Sequence, residues 1–178
     1  MRLFVAIELD EPFRNHLIKL QESLRPNLPH VSFTKPENLH LTLKFIGEVE
    51  EKKVPSLCDA LSTVACEGPF LLNYTGLDFL PERGPIRIIA AAVDGGEKLL
   101  ALQKRIEEAC DTQNIPRENR RFRAHITLAR DRRGMKRSKK PHIAENVIAP
   151  MTATEFVLMQ SKLSNKGSQY QPLQRVHL

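Results

Sequence analysis

The chain has 178 residues, with 27 Lys plus Arg against 21 Asp plus Glu and a formal net charge of +6. This length and a hydrophobic content of 41% suit one globular domain, and they exclude disorder, collagen and coiled coil as the main architecture. The apolar runs are strand-sized, the N-terminal run is too short for a signal-peptide core, and the three cysteines show no C-x-x-C spacing. We therefore expect a cytoplasmic protein that does not enter the membrane and has no disulfide framework or thiolate zinc site.

The first half of the chain predicts alternating strands and helices. A buried strand comes first, and a helix then begins at the N-cap Asp10 and ends at Pro26. A short extended segment, a second strand, an amphipathic helix and a third strand follow. We place these at residues 31–34, 39–46, 50–64 and 70–80, and the first strand at residues 3–7.

The second half repeats this order at a period of roughly 85 residues. A strand, a helix that ends before Pro116, a basic turn and a second strand lead to a polar loop from Asp131, and two further strands close the chain. We place the strands at residues 86–93, 124–129, 154–163 and 170–178. The pattern predicts an α+β protein, a single domain of residues 1–178 built as two pseudo-symmetric lobes, with approximate sequence repeats 1–80 and 86–178.

The repeat is sharpest at two short motifs, His40-Leu41-Thr42-Leu43 and His125-Ile126-Thr127-Leu128. Both fall on predicted strands, where side chains alternate between the two faces, so each His shares a face with the Thr two residues later. If a pseudo-twofold axis relates the lobes, the two imidazoles and two hydroxyls meet across a cleft. We predict His40, His125, Thr42 and Thr127 as catalytic residues.

Two imidazoles and two hydroxyls suit acid–base chemistry at phosphorus. One imidazole can accept a proton while the other donates one, and threonine hydroxyls can bind non-bridging phosphate oxygens. A two-histidine metal site is the chemical rival, but neither motif supplies a third ligand nearby. We therefore expect no metal and no other cofactor.

The motifs and their flanks resemble the paired HxTx signatures of the two-histidine phosphoesterase superfamily. The resemblance is closest to the RNA 2′,3′-cyclic phosphodiesterases, also called 2′-5′ RNA ligases, and it extends over almost the whole chain. It is also carried by Arg2-Leu3-Phe4-Val5-Ala6-Ile7, Pro36-Glu37-Asn38-Leu39 and Tyr170-x-Pro172-Leu173. The family usually has Pro directly before the second motif, where this chain has Ala124.

The resemblance implies a fold and a reaction. Each lobe would be an antiparallel sheet with helices on its outer face, and the active-site cleft would lie between the lobes. The reaction would be metal-independent hydrolysis of a terminal RNA 2′,3′-cyclic phosphate to a 2′-phosphate. The resemblance assigns His40 as proton donor and His125 as proton acceptor. The residues alone do not determine which histidine is the donor and which is the acceptor.

Four further residues are candidate substrate ligands. Arg130 matches the family's arginine after the second motif, although strict alternation would place it on the face opposite His125. Arg123 belongs to the basic turn before that motif, and Tyr170 and Phe45 could stack on a base, with core packing as the rival role of Phe45.

The positive charge is concentrated between Arg117 and Lys140, which hold eleven basic and two acidic residues. Such a segment can bind a polyanion, or it can be a solvated loop. We expect a monomer whose partner is RNA with 2′,3′-cyclic phosphate ends. The alternatives are a 2′-5′ RNA ligase or phosphodiesterase, a small cyclic-nucleotide phosphodiesterase of the same superfamily, and a noncatalytic RNA-binding module.

Overall fold

A computed structural model describes residues 1–141, 147–165 and 167–178, and in these ranges nine strands and three α-helices occur. The strands are β1 (Arg2–Glu8), β2 (Ser32–Phe33), β3 (His40–Glu48), β4 (Phe70–Leu80), β5 (Ile86–Asp94), β6 (His125–Met135), β7 (Met151–Ala153), β8 (Glu155–Ser164) and β9 (Gly167–His177). The helices are α1 (Glu11–Leu24), α2 (Val54–Ser62) and α3 (Gly96–Asp111).

The order of the strands in the sheet is pseudo-symmetric about its centre. The path is β7-β4-β5-β6-β3-β1-β8-β9, neighbouring strands run antiparallel, and β2 lies against β6 beside this path. The centre of the path is the contact between β6 and β3, where Leu41 pairs with Ile126. The two sequence motifs therefore lie side by side at the pseudo-twofold axis.

Strands are exchanged between the two halves of the chain. Strand β4 comes from the first repeat but pairs with β5 of the second, and β8 comes from the second repeat but pairs with β1 of the first. Each side of the sheet thus contains strands from both repeats. Neither repeat completes its own side.

The helices cover one face of the sheet and leave the other for the motifs. Alternate residues of β1, β3 and β6 form one hydrophobic core with all three helices, among them Val5, Leu41 and Ile126 from the sheet and Leu17, Leu57 and Ile106 from the helices. The histidines and threonines of both motifs alternate with these core residues, so they lie on the opposite face. We call this surface the histidine face.

The helix predictions are confirmed where their capping signals are strong. The Asp10 carboxylate accepts a hydrogen bond from the Phe13 N–H at 2.8 Å, and α1 ends before Pro26. Helix α2 is shorter than the predicted 50–64 because a 3₁₀ turn occupies residues 51–53. Within the described residues, no helix is long and apolar enough to cross a membrane.

The polar loop predicted from Asp131 is wrong, because β6 continues to Met135 and pairs there with Ile86. The Asp131 side chain accepts hydrogen bonds from the N–H groups of Arg133 and Gly134 at 2.9 and 3.2 Å. On β5, Ile88 pairs with Arg130 and Ile86 with Met135, so residues 131–134 form a wide bulge within the strand, which these local bonds stabilise.

Candidate active site

The two motifs meet at one antiparallel pair at the centre of the sheet. Leu41 lies opposite Ile126, so the same register carried one residue further sets His40 beside Thr127 and Thr42 beside His125. All four polar side chains are half-buried. The structure thus brings together the four residues that the sequence predicts as catalytic.

Both imidazoles are held by the same backbone contact. His40 Nδ1 lies 2.8 Å from the carbonyl oxygen of Asn38, and His125 Nδ1 lies 2.8 Å from the carbonyl oxygen of Arg123. A carbonyl oxygen only accepts, so each Nδ1 carries a hydrogen and each Nε2 is left for proton exchange. His40 Nε2 lies 2.9 Å from Thr42 Oγ1 and accepts the threonine hydroxyl hydrogen when the ring is neutral.

A β-bulge at Leu43 brings Phe45 onto the histidine face. On β1, Phe4 and Ala6 point to one face, and their partners on β3 are Phe45 and Thr42. Partners directly opposite one another share a face, so positions 42 and 45 both lie on the histidine face although they are three residues apart. The ring of Phe45 is 70% exposed.

The second motif contains a matching bulge at Leu128. On β5, Ile88 and Ala90 share a face, and their partners on β6 are Arg130 and Thr127. Arg130 therefore lies on the histidine face, where strict alternation would have placed it on the other. Phe45 and Arg130 occupy equivalent positions, each five residues after its histidine.

An aromatic cluster surrounds His40. The Phe4 ring centroid lies 4.9 Å from that of His40, and the Tyr170 ring stands edge-on 5.3 Å from the imidazole. Tyr170 and Phe4 are themselves 4.9 Å apart, and Phe45 lies 6.4 Å from Phe4. The sequence reasoning missed Phe4 because its run of five apolar residues predicts only a buried strand.

This environment changes the acidity of His40. Burial lowers the pKa of His40 below its ordinary 6.5, and the positive charges of Arg130 and His125 lower it further. The hydrogen bond to the Asn38 carbonyl and the Glu8 carboxylate act in the opposite direction but do not cancel the burial effect. The ligand-free site therefore favours a neutral His40.

The guanidinium of Arg123 is held by two carboxylates. Its Nε lies 2.6 Å from Asp78 Oδ2, its Nη2 donates to Asp78 Oδ1 at 2.8 Å, and its Nη1 contacts Glu82. Substrate binding by Arg123 stays a prediction. The contacts with Asp78 and Glu82 hold its guanidinium within the protein itself.

The basic segment lies partly on β6 and partly against the turn after β4. Arg132 and Arg133 are exposed on β6, the Arg137 guanidinium donates to the Pro81 carbonyl, and Lys140 Nζ lies 4.4 Å above the Phe79 ring. The part of the segment after the second motif therefore continues the strand that carries the motif, whereas residues 117–124 precede that strand.

A metal site would need several ligating side chains close to one another. Across the described residues, no three His, Cys, Asp or Glu side chains form a group that could hold a metal ion. Neither histidine of the motifs therefore has two such partners in this part of the chain.

Known proteins are similar to this chain in sequence and in fold. A family model described as LigT-like phosphoesterase matches the chain twice, at residues 7–90 and 91–170. A protein of Archaeoglobus fulgidus named RNA 2′,3′-cyclic phosphodiesterase is 32% identical over 180 residues, covering 97% of this chain and 98% of the relative. A Thermus thermophilus protein of the same name is 33% identical over 184 residues, covering 100% and 90%.

A solved structure supports the same relationship. The crystal structure of a Thermus thermophilus protein superposes on this chain with a TM-score of 0.83 and 29% sequence identity. The alignment covers 100% of this chain and 98% of the Thermus chain. The prediction of an α+β fold with two lobes is confirmed, and so is the resemblance to the two-histidine phosphoesterases.

Proposed function

Because the chain belongs to the LigT-like phosphoesterase family, we propose that it is an RNA 2′,3′-cyclic phosphodiesterase. It opens a terminal 2′,3′-cyclic phosphate to a 2′-phosphate. The relatives from Archaeoglobus and Thermus, which carry this name and align over nearly the whole chain, support the substrate.

The observation that carries the mechanism is the matched pair of imidazoles. Each presents Nε2 on the histidine face with its Nδ1–H bound to a backbone carbonyl. The two rings are held by equivalent backbone contacts and are related by the axis between Leu41 and Ile126. They can therefore act on opposite sides of one phosphorus atom. This arrangement suits in-line displacement, in which the attacking and leaving oxygens are opposed.

In the proposed reaction, water attacks the phosphorus and the bond to the 3′ oxygen breaks. His125 Nε2 accepts a proton from the water as the new P–O bond forms, and His40 Nε2 donates its proton to the departing 3′ oxygen. The turnover ends with a protonated His125 and a neutral His40, and exchange with solvent restores the starting state. If the 5′-hydroxyl of a second RNA took the place of the water, the same attack and proton transfers would join the two ends through a 2′-5′ linkage.

The lowered pKa of His40 fits this scheme if the bound substrate stabilises the protonated imidazole. Burial is the main cause of that lowering, and the positive charge of Arg130 lowers the His40 pKa further. A bound phosphate offsets that charge and acts to raise the pKa again, which favours protonation of His40 in the complex. Once Nε2 carries a hydrogen it no longer accepts from Thr42, so the Thr42 hydroxyl is released to donate to a phosphate oxygen.

Substrate binding is divided between charge and aromatic rings. We assign Arg130 to the non-bridging phosphate oxygens, because guanidinium groups bind them with strong hydrogen bonds. Tyr170 and Phe45 provide faces and edges on which the terminal base can stack. The basic segment that continues β6 offers charge to the upstream phosphates.

We further propose that residues 1–178 work as one two-lobed monomer in the cytoplasm. The exchange of β4 and β8 between the two sides supports a single functional unit.

The test uses RNA that ends in a 2′,3′-cyclic phosphate, with EDTA present and the 2′-phosphate product measured. His40→Ala and His125→Ala should each lower kcat by about 10²–10⁴-fold, the usual contribution of a general acid or base. His177→Ala is the matched control, because that histidine lies exposed on β9. Undiminished turnover by either motif variant would contradict the assignment.

A second set of substrates separates the related activities. Faster turnover of a 2′-5′ linkage or of a small cyclic nucleotide would move the assignment within the superfamily. Loss of activity with EDTA would favour a metal site, and tight RNA binding without turnover would favour the noncatalytic module.

A further inference from the structure

The residues that orient the two histidines are themselves anchored by strands at the far sides of the sheet. Asn38 and Arg123 each precede their histidine by two positions and supply the carbonyl that accepts the Nδ1–H. Both lie just outside the motif strands: the Asn38 N–H bonds to the Lys35 carbonyl at 2.9 Å in a 3₁₀ turn, and Arg123 precedes Ala124, whose carbonyl accepts from the Val93 N–H at 3.2 Å. Their side chains provide the additional hold.

On the His125 side, the anchor is a two-point contact to Asp78 of β4. Arg123 Nη2 donates a hydrogen bond to Asp78 Oδ1 at 2.8 Å, and Nε lies in an ion-pair contact 2.6 Å from Oδ2, so the fork of the guanidinium meets both carboxylate oxygens. Asp78 is only 8% exposed, and its Oδ1 also accepts the Phe79 N–H at 2.9 Å. The carboxylate is therefore a fixed support.

On the His40 side, the anchor is a single neutral hydrogen bond. Asn38 Nδ2 donates to the Ser168 carbonyl on β9 at 2.9 Å. Strand β9 comes from the second repeat, and β4, which carries Asp78, comes from the first. Each histidine is thus oriented through a residue that is anchored by the opposite repeat.

We propose that Asp78 and Arg123 form a positioning pair for His125. Asp78 holds the Arg123 guanidinium, this fixes the Arg123 carbonyl, and the carbonyl keeps the hydrogen of a neutral His125 on Nδ1. This positioning role depends on the proposed function in one respect: the proposed function identifies the proton that His125 accepts as that of the attacking water. The pair leaves Arg130 as the guanidinium for phosphate.

The test compares Asp78→Ala with Glu82→Gln, a control that alters only the exposed second partner of Arg123. The first measurement is ¹⁵N NMR of the ligand-free protein. Asp78→Ala should transfer part of the neutral His125 population from the Nδ1–H to the Nε2–H form, while His40 and the control stay as in the wild type. An unchanged His125 tautomer would overturn the proposal.

The second measurement is steady-state kinetics on the cyclic phosphate. Asp78→Ala should lower kcat by about 10- to 100-fold, the usual cost of a misplaced catalytic group, and leave KM within about twofold. If Arg123 bound substrate directly, release from Asp78 would lower KM instead. A changed KM with an unchanged kcat would therefore contradict the positioning role.

Two further variants complete the design. Asp78→Asn keeps the size of the side chain and an acceptor for the Phe79 N–H, so it replaces Asp78→Ala if that variant does not fold, and the same shifts are expected in smaller degree. Arg123→Lys keeps the charge but loses the fork, so it should resemble Asp78→Asn. A wild type inactive on cyclic phosphate, with the tautomer shift still present, would reject the proposed function and retain the positioning pair.

Discussion

The two sides of the active site share a backbone plan but differ in what surrounds each imidazole. His40 lies among the rings of Phe4 and Tyr170, whereas the β5 residue opposite His125 is Ala92. The equivalent partner of His40 on β1 is Glu8. A symmetric frame thus gives two like groups unlike environments, which is how two histidines can take different roles in one reaction.

The largest expected effect concerns the residues that the two bulges turn into the core, Lys44 and Ala129. Lys44 Nζ lies 2.5 Å from Glu107 and donates to the Pro116 carbonyl at 2.9 Å, and its side chain is 2% exposed. Lys44→Ala should lower the free energy of unfolding by about 3–5 kcal/mol, because it leaves Glu107 buried without its partner. Denaturant unfolding measures this.

The matched control is the double variant Lys44→Met with Glu107→Leu, which replaces the ion pair with apolar side chains. It should recover most of the lost stability, since removing both charges avoids an unpaired one. A double variant as unstable as Lys44→Ala would show that the contacts to the segment after α3 matter more than the charge pair.

A smaller effect is expected for Arg130 and Phe45, the two residues that the bulges bring onto the histidine face. Arg130→Gln should lower kcat/KM by about 10- to 100-fold, because a hydrogen bond to a charged group contributes about 1.5–3 kcal/mol. Phe45→Ala should cost about tenfold through lost stacking, for which about 1–3 kcal/mol per base is usual.

The comparison becomes decisive with a ribose cyclic phosphate that carries no base. The Arg130→Gln defect should persist on this substrate, and the Phe45→Ala defect should vanish. If both variants lost the same activity on both substrates, the two bulge positions would not divide charge from stacking.

The smallest expected effect is on acidity. Tyr170→Ala uncovers the His40 ring, so the pKa of His40 should rise toward 6.5, because burial is the main cause of its lowering. A proton donor loses activity as the pH rises through its pKa. The alkaline limb of kcat/KM should therefore move to higher pH in this variant.

NMR titration of the histidine ring protons measures the pKa directly, with Phe45→Ala as a control that removes an exposed ring whose centroid lies 6.4 Å from that of Phe4. An unchanged His40 pKa in Tyr170→Ala would mean that other groups bury the ring. A shift of the acid limb in its place would reverse the assigned roles of donor and acceptor.

Much of the frame follows from local signals in the sequence. The duplicated motifs place His40 and His125 on strands, and the Asp10 cap and the spacing of Phe13 and Leu17 mark α1. These features depend on residues close in sequence. They are confirmed because local periodicity and capping are sufficient to define them.

The parts that sequence reasoning missed depend on distant pairing. Nothing near Leu128 signals a bulge, since the extra residue is defined only by its register with β5. The sequence therefore indicates that Arg130 must be redirected from the face that strict alternation gives it, without showing how. The anchoring of Arg123 by Asp78 spans 45 positions and depends on the exchange of β4. Such contacts follow from the assembled sheet and from no short pattern.

The exchange of β4 and β8 also bears on how such a molecule can be built from a half-sized unit. One repeat alone would have a motif strand and its neighbour but would lack the next strand, which the other repeat supplies. Two separate half-length chains would complete the sheet only as a swapped homodimer, with its symmetry axis between the positions of Leu41 and Ile126. The single chain corresponds to a covalent form of such a dimer, in which the two copies of the motif can differ in their surroundings.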